Sequence, residues 1–138
     1  MAEEQTNGHT SRQEVGVHEL LGVTFVEVTK DCVVLSLTVG PAVHQPYGLL
    51  HGGVSALLAE SAASIGSGLN VADGKAVVGI ELSASHLRGM SEGTLTATAR
   101  PIRLGRTVHV WHIELTNEVG TLICDSKCTV AVIDRPGG

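Results

Sequence analysis

The chain has 138 residues, of which 43% are hydrophobic and 17% charged, and its formal net charge at pH 7 is −5. This length and apolar content suit one globular domain with a sizeable core and leave no room for a second domain. The acidic balance argues against a general nucleic-acid binder, whose surface would be basic. No window holds the roughly 20 apolar residues of a membrane-spanning helix, so neither nucleic acid nor a membrane is an expected partner.

The chain begins with the polar, acidic stretch MAEEQTNGHTSRQE. This stretch lacks the positive start and apolar core of a secretory signal, so the cytoplasm is the expected compartment. Residues 1–12 are predicted to form a disordered tail, followed by a single domain over residues 13–138. The domain is predicted to open with a short helix or turn at residues 13–21.

Runs of β-branched residues predict two strands, at 23–28 and 32–39, joined by a hairpin turn. Gly40-Pro41 ends the second strand, and a loop follows. After residue 75 the remaining chain is dominated by strand patterns separated by Gly-bearing turns, which predicts an antiparallel meander. Its four strands are expected at 76–86, 94–104, 107–116 and 121–133.

Between the two groups of strands lies the stretch of residues 45–69, in which a loop ending near residue 50 leads into a run of Ala, Ser, Gly, Val and Leu long enough for about four helical turns. Between Asp31 and Asp73, Glu60 is the only formally charged residue. A surface helix would carry charged side chains on its outer face, so we expect this helix to be enclosed by its own sheet and by a partner surface. A single acid in such surroundings must be paired, neutral or functional.

A helical projection at about 100° per residue divides this stretch into two sides. Glu60 and Ser64 are neighbours at i and i+4. One side is predicted to hold Val54, Leu57, Leu58, Ser61, Ile65 and Leu69, and the opposite side Ala56, Glu60, Ala63, Ser64 and Ser67.

Together the elements predict an α+β fold of about six antiparallel strands with one long helix inserted after the second. One helix cannot cover both faces of such a sheet, so the sheet should curl around it. The other face, with Val34, Ser36 and Thr38, is expected to be weakly polar and suited to another subunit. We therefore expect a homo-oligomer, with a dimer of dimers favoured.

The three cysteines, Cys32, Cys124 and Cys128, are predicted to be buried, reduced thiols. Cys124 and Cys128 fall on one strand at a separation of about 13 Å, which is too far for a disulfide. His109 and His112 point to opposite faces of a strand and cannot share a metal. Neither a metal site nor a cofactor is expected.

The segment QPYGLLHGGVSALLAES has the spacing H-G-G-x-x-x-x-x-x-E, which ends at Glu60. It resembles the active-site helix of hotdog-fold acyl-CoA thioesterases. Through VVGIELSASHLR and VWHIEL, about residues 20–133 resemble the bacterial subgroup that hydrolyses 1,4-dihydroxy-2-naphthoyl-CoA in menaquinone biosynthesis. The related enterobactin-pathway proofreading and 4-hydroxybenzoyl-CoA thioesterases share this resemblance. H-G-G alone is weak evidence, whereas its combination with a preceding Gln and the Glu and Ser on the helix is specific.

The resemblance implies roles for five residues. Gly52 would donate its amide to the developing oxyanion, which suits the unpaired N–H groups and partial positive charge of a helix N-terminus. Glu60 would act as nucleophile or general base, and His51 would orient the thioester end. Gln45 and Ser64 would hold the thioester or the attacking water. Ser64 differs from those subgroup members that carry Thr at this position, but the hydroxyl is kept.

Each of these residues also has a purely structural interpretation. Glu60 could be a buried acid bonded to a nearby donor, and Gly52 could serve a tight turn into the helix. His51 could cap the helix, Gln45 could belong to a loop surface, and Ser64 could be a small packing residue.

Coenzyme A carries phosphates that need cationic partners. Arg88, Arg103 and Arg106 lie at or next to strand-connecting turns, where long cations can reach a ligand at a subunit edge. The alternative is that they are solvated turn charges.

The sequence thus predicts hydrolysis of an aromatic acyl-CoA thioester to free acid and CoA, in sites between subunits. The preference for aromatic groups, with 1,4-dihydroxy-2-naphthoyl-CoA as candidate substrate, is implied by the resemblance alone. Two alternatives remain open: an acyl thioester dehydratase of the same fold, and a non-catalytic acyl-CoA sensor.

Overall fold

The computed structural model describes residues 16–137. The predicted tail and the first residues of the predicted N-terminal helix, 13–15, lie outside this range. Two α-helices and six strands are found within it. They are α1 (Val17–Leu21), β1 (Thr24–Val28), β2 (Val33–Val39), α2 (Gly52–Gly68), β3 (Lys75–His86), β4 (Gly93–Leu104), β5 (Val108–Thr116) and β6 (Leu122–Asp134), with a 3₁₀ turn at Pro41–Val43.

The six strands form one antiparallel sheet in the order β1-β2-β4-β5-β6-β3. The predicted four-stranded meander is wrong at its first member, because β3 pairs with β6 at the far edge and not with β4. Helix α2 carries the chain across the sheet to that edge. The connection of residues 87–92 then returns it, with the amides of Leu87 and Arg88 donating to the Ile123 carbonyl.

Helix α2 packs against β2 to β6 through a stripe of mostly small side chains. These buried residues are Ser55, Leu58, Ala59, Ala62, Ala63, Gly66 and Ser67. The predicted division of the helix is therefore wrong for Ala63 and Ser67, which face the sheet, and for Leu57 and Ile65, which are only half-buried. The indole of Trp111 occupies the space beside Gly66, so that an added Cβ would overlap it. Close approach to the sheet, not hydropathy, decides which side is buried.

The core lies between α2 and the inner face of the sheet. Strand β2 alternates strictly, with Val33, Leu35, Leu37 and Val39 buried, as expected for a sheet covered on one face. All three cysteines are buried and free, which confirms the prediction. Burial, with a smaller contribution from the negative charge of Glu60, raises the pKa of the Cys128 thiol to about 11.

The outer face of the sheet is more strongly charged than the sequence predicts. Cross-strand neighbours on this face include His112 opposite Lys127 and Glu114 opposite Asp125. His112 Nε2 lies 2.7 Å from the Asp125 carboxylate. None of the described helices is long and apolar enough to span a membrane.

Candidate active site

The N-terminus of α2 is built by His51. The Nδ1 atom of His51 accepts a hydrogen bond of 2.8 Å from the amide of Gly53. Because a backbone amide can only donate, Nδ1 is the acceptor, and the proton of the neutral ring lies on Nε2. His51 is thus a helix cap, and its Nε2–H group remains a potential donor to a substrate.

Gly52 occupies the first helical position, where a backbone amide has no partner inside its own helix. Within residues 16–137 no carbonyl accepts from it. The space of its missing side chain is filled by the imidazole of His86, since an added Cβ would lie 2.8 Å from His86 Nε2. Glycine is therefore needed here to admit His86, which stands at the end of β3.

Gln45 is fixed by the loop that precedes α2. Its side-chain oxygen accepts from the amides of Tyr47 at 2.5 Å and Leu49 at 3.4 Å. Since the oxygen is used by the loop, the NH₂ end of the same amide keeps its donors for another partner.

Gln45 and Gly52 line one cavity of about 370 Å³ beside the helix N-terminus. His86 and Arg88 line the same cavity. A group bound there would therefore meet the donors of Gln45 and Gly52, the His86 ring and the positive charge of Arg88. The remaining lining residues are Leu49, Leu50, Ser55, Leu87, Gly89 and Ile123.

Glu60 and Ser64 line a different cavity, of about 460 Å³, on the outer side of α2. Glu60 is exposed in the single chain. Its carboxylate lies against Gly79 of β3, where an added Cβ would be 2.5 Å from Oε2, and the register of β3 with β6 shifts at this point. The other lining residues are His18, Gly53, Ala56, Leu57, Ser61 and Ile65.

Gly52 and Glu60 line different cavities of the single chain. Glu60 follows Gly52 by eight positions in the same helix, a separation of ~12 Å at 1.5 Å per residue. A hydrogen bond spans only about 3 Å. The five predicted catalytic residues therefore divide into a group at the helix start and a pair, Glu60 and Ser64, two turns further on.

The three arginines also divide. Arg88 lines the cavity of Gly52, whereas Arg103 and Arg106 belong to the end of β4 and the β4–β5 turn. Arg106 lines a third cavity, of about 220 Å³, with Lys75 and His109 near the C-terminal end of α2.

His109 has a structural role. It is buried, and its Nδ1 lies 2.8 Å from the Ser67 hydroxyl oxygen. The same oxygen accepts a hydrogen bond of 2.8 Å from the Trp111 indole N–H. Burial lowers the pKa of His109, which favours the neutral form of the ring. His112 is on the other face of the sheet, as predicted.

A metal ion could be held by one group of side chains in the described part of the chain, namely His112, Glu114 and Asp125, whose ligand atoms lie within 4.8 Å of one another. This group is on the outer sheet face, away from α2. Arg100 and Lys127 stand directly opposite His112 in the register and already supply positive charge there.

Sequence reasoning missed two histidines that the structure brings to these cavities. His86 contacts Gly52 and is the last residue of β3. A histidine at the end of a predicted strand, in the segment ELSASHLR, could have been recognised as a candidate from the sequence. His18 contacts Ser61 from 43 positions away, and no local pattern indicates that pairing.

Comparison with known proteins identifies the family. The family model for the thioesterase superfamily matches residues 47–124, which contain α2 and most of the residues that line the two cavities, but neither Gln45 nor His18. The chain belongs to the thioesterase superfamily. This thioesterase is 45% identical over 118 residues to a 1,4-dihydroxy-2-naphthoyl-CoA hydrolase of Listeria monocytogenes, covering 86% of this chain and 96% of the relative. It is 39% identical over 115 residues to the proofreading thioesterase EntH of Cronobacter sakazakii, covering 83% and 84%.

Solved structures agree with this thioesterase in fold. A thioesterase from Haemophilus influenzae superposes with a TM-score of 0.86 at 35% identity, over 93% of this chain and 91% of that one. A variant of a thioesterase from Pseudomonas aeruginosa also gives 0.86, at 41% identity over 96% and 94%. The predicted α+β hotdog fold and the predicted hydrolase class are confirmed.

Proposed function

We propose that this thioesterase hydrolyses an aromatic acyl-CoA to the free acid and CoA, with 1,4-dihydroxy-2-naphthoyl-CoA as the candidate substrate. Support comes from the relatives, one of which carries that substrate in its name. Acting on this substrate would give the protein a role in menaquinone biosynthesis, and its compartment would be the cytoplasm.

The observation that carries the proposal is that Gln45 and Gly52 line one cavity of the chain, whereas Glu60 and Ser64 line another. A second copy related by a two-fold axis would run its α2 in the opposite direction. Its Glu60 could then meet Gly52 and Gln45 of the first copy, and the reciprocal site would form at the same time.

The free edge of the sheet supports this pairing. Strand β3 is the last in the sheet order and is 12 residues long. Val78 and Ile80 on it are 43% and 59% exposed, beside the Gly79 that contacts Glu60. Long apolar edges need a cover, and a second β3 would provide one, so that a homo-oligomer would bury both the edge and the outer side of α2.

In this arrangement the thioester carbonyl oxygen would accept from the Gly52 amide and the Gln45 NH₂ group. These donors would stabilise the oxyanion as the carbonyl carbon becomes tetrahedral. Glu60 from the other copy would either attack that carbon directly or take a proton from the attacking water. With Glu60 as base, the water oxygen stays on the acyl carbon, collapse of the intermediate breaks the C–S bond, and the CoA thiolate receives the proton that Glu60 took. With Glu60 as nucleophile, collapse releases the CoA thiolate and leaves a mixed anhydride with Glu60, and water then hydrolyses this anhydride to the free acid, which restores the carboxylate and gives the thiolate its proton. Ser64, one helical turn from Glu60, would position the carboxylate or the water.

Among the arginines, Arg88 has the strongest case for a CoA contact because it lines the cavity of Gly52. Arg103 and Arg106 lie at the opposite end of α2 and remain candidates for the phosphates.

The experiment that tests the function measures thiol release across aryl, phenacyl and fatty acyl-CoA thioesters, ranked by kcat/KM. Aryl thioesters should rank first. An enoyl-CoA included in the panel should not be hydrated. Hydration of this thioester would favour a dehydratase. Tight acyl-CoA binding without turnover on any thioester would instead indicate a sensor.

A further inference from the structure

His18 joins α1 to α2 at the edge of the Glu60 cavity. Helix α1 has five residues and none of them is buried. The Nε2 atom of His18 lies 2.7 Å from the Ser61 hydroxyl. The ring is also packed edge-on against Phe25, with centroids 5.7 Å apart and an interplanar angle of 78°. The imidazole is therefore held in a defined orientation from two sides.

The cavity has an acid on one flank and this imidazole–hydroxyl pair on the other. Ser61 directly follows Glu60, so its side chain points about 100° further around the helix. Glu60 leans against Gly79 of β3, whereas His18 approaches from α1. Apolar Leu57 and Ile65 line the same cavity.

We propose that His18 and Ser61 form a specificity pair that hydrogen-bonds a hydroxyl substituent on the ring of the acyl group. The proposal rests on the proposed function, because an acyl group whose carbonyl lies at Glu60 would extend into this cavity. Leu57 and Ile65 suit the aromatic ring, and the polar pair lies at the flank opposite the reacting carbon.

The hydrogen-bonding capacity of the pair supports this role. A serine hydroxyl has one donor and two acceptor sites, and an imidazole has two nitrogens. One bond between them leaves sites on both for a ligand. A pocket with such groups discriminates strongly against an analogue that lacks the matching hydroxyl, because the pocket groups then lose water without a replacement partner.

The alternative is that the His18–Ser61 bond only docks α1. A docking role predicts that disrupting it lowers stability and reduces activity equally on every substrate. A specificity role predicts that the loss depends on the ring substituent.

The test compares 4-hydroxybenzoyl-CoA with benzoyl-CoA in the full-length enzyme. His18→Phe keeps an aromatic ring against Phe25 and removes both nitrogens, while Ser61→Ala removes the hydroxyl and leaves the His18 ring and its packing against Phe25 in place. Each variant should lower kcat/KM on the hydroxylated thioester by about five- to tenfold, the worth of one lost hydrogen bond. Each should leave benzoyl-CoA within about twofold. His112→Phe, the same change on the outer sheet face, is the matched control and should alter neither value.

Equal losses on the two thioesters, or an unchanged ratio in both variants, would overturn the specificity pair while leaving the proposed function intact. A wild-type enzyme that cleaves fatty acyl-CoA but neither aryl thioester would overturn the aromatic substrate first and the specificity pair with it.

Discussion

Replacing Glu60 by Gln tests the proposed chemistry most directly. Gln has the same size and keeps hydrogen bonding, so it can occupy the same place against Gly79. Because Gln is isosteric with Glu, we expect the fold and the assembly to be retained. The change removes only the ability to attack or to accept a proton. We expect kcat to fall by about 10² to 10⁴, the range for loss of a general base, with KM nearly unchanged.

The assay is thiol release on the best aryl thioester, with Glu114→Gln as the control. Glu114 is also an exposed glutamate, but it lies on the outer face of the sheet, so its variant should retain wild-type kcat. Ser64→Ala should cost less than Glu60→Gln, since it removes a positioning group. A Glu60→Gln enzyme within about threefold of wild-type kcat would refute the mechanism and leave Glu60 a structural residue.

Mixing variants tests the ~12 Å separation of Glu60 from Gly52, estimated from the helical rise. Glu60→Gln and Gln45→Ala should each be impaired alone, because each lacks one half of the site. After unfolding and refolding together at equal amounts, half of the dimers would be mixed and would hold one intact site of two, so about one quarter of wild-type activity should return. A site confined to one chain would give no gain on mixing.

Three further predictions concern assembly, CoA binding and packing. Sedimentation should show an oligomer at micromolar concentration, with a tetramer of two dimers favoured; a stable, active monomer would contradict a site shared between copies. Arg88→Ala should raise KM with little change in kcat, as expected for binding remote from the reacting bond. If KM is unchanged in each of Arg88→Ala, Arg103→Ala and Arg106→Ala, none of the three arginines binds CoA and all are solvated surface charges. Gly66→Ala should lower the free energy of unfolding by about 1–3 kcal/mol because its Cβ would overlap Trp111. Gly68→Ala, where the Cβ meets open space, should be neutral or stabilising by up to about 1 kcal/mol in urea unfolding, and equal losses in both would argue against that packing.

Strand and helix bounds were predictable because they depend on local patterns. The alternation of Val33, Leu35, Leu37 and Val39 is visible in the sequence, and so is the uncharged run around Glu60. The pairing of β3 with β6 was not predictable, since it depends on where α2 delivers the chain. The buried side of α2 was also misjudged, because the bulk of Trp111, 45 positions from Gly66 in the sequence, decides which side chains fit.

The candidate site was predictable as a set of residues but not as an arrangement. The H-G-G spacing locates the helix start, and the lone carboxylate singles out Glu60. A linear motif cannot say which copy of the chain supplies each group. The separation of Glu60 from Gly52 along the chain becomes a separation in space only because α2 is one continuous helix from Gly52 to Gly68. The His51 cap is a local contact that the sequence already allowed, whereas His86 beside Gly52 and His18 beside Ser61 are tertiary contacts.

The buried cysteines have a practical consequence for measuring this enzyme. Thiol-reactive dyes respond to the thiolate form, and CoA released into solution supplies it readily. Cys32, Cys124 and Cys128 are enclosed in the core, and burial raises the pKa of each thiol. The thiols of the folded protein should therefore react very slowly with such a dye, so that the absorbance change measures released CoA alone. A slow rise of absorbance in a blank without substrate would indicate unfolding of the enzyme.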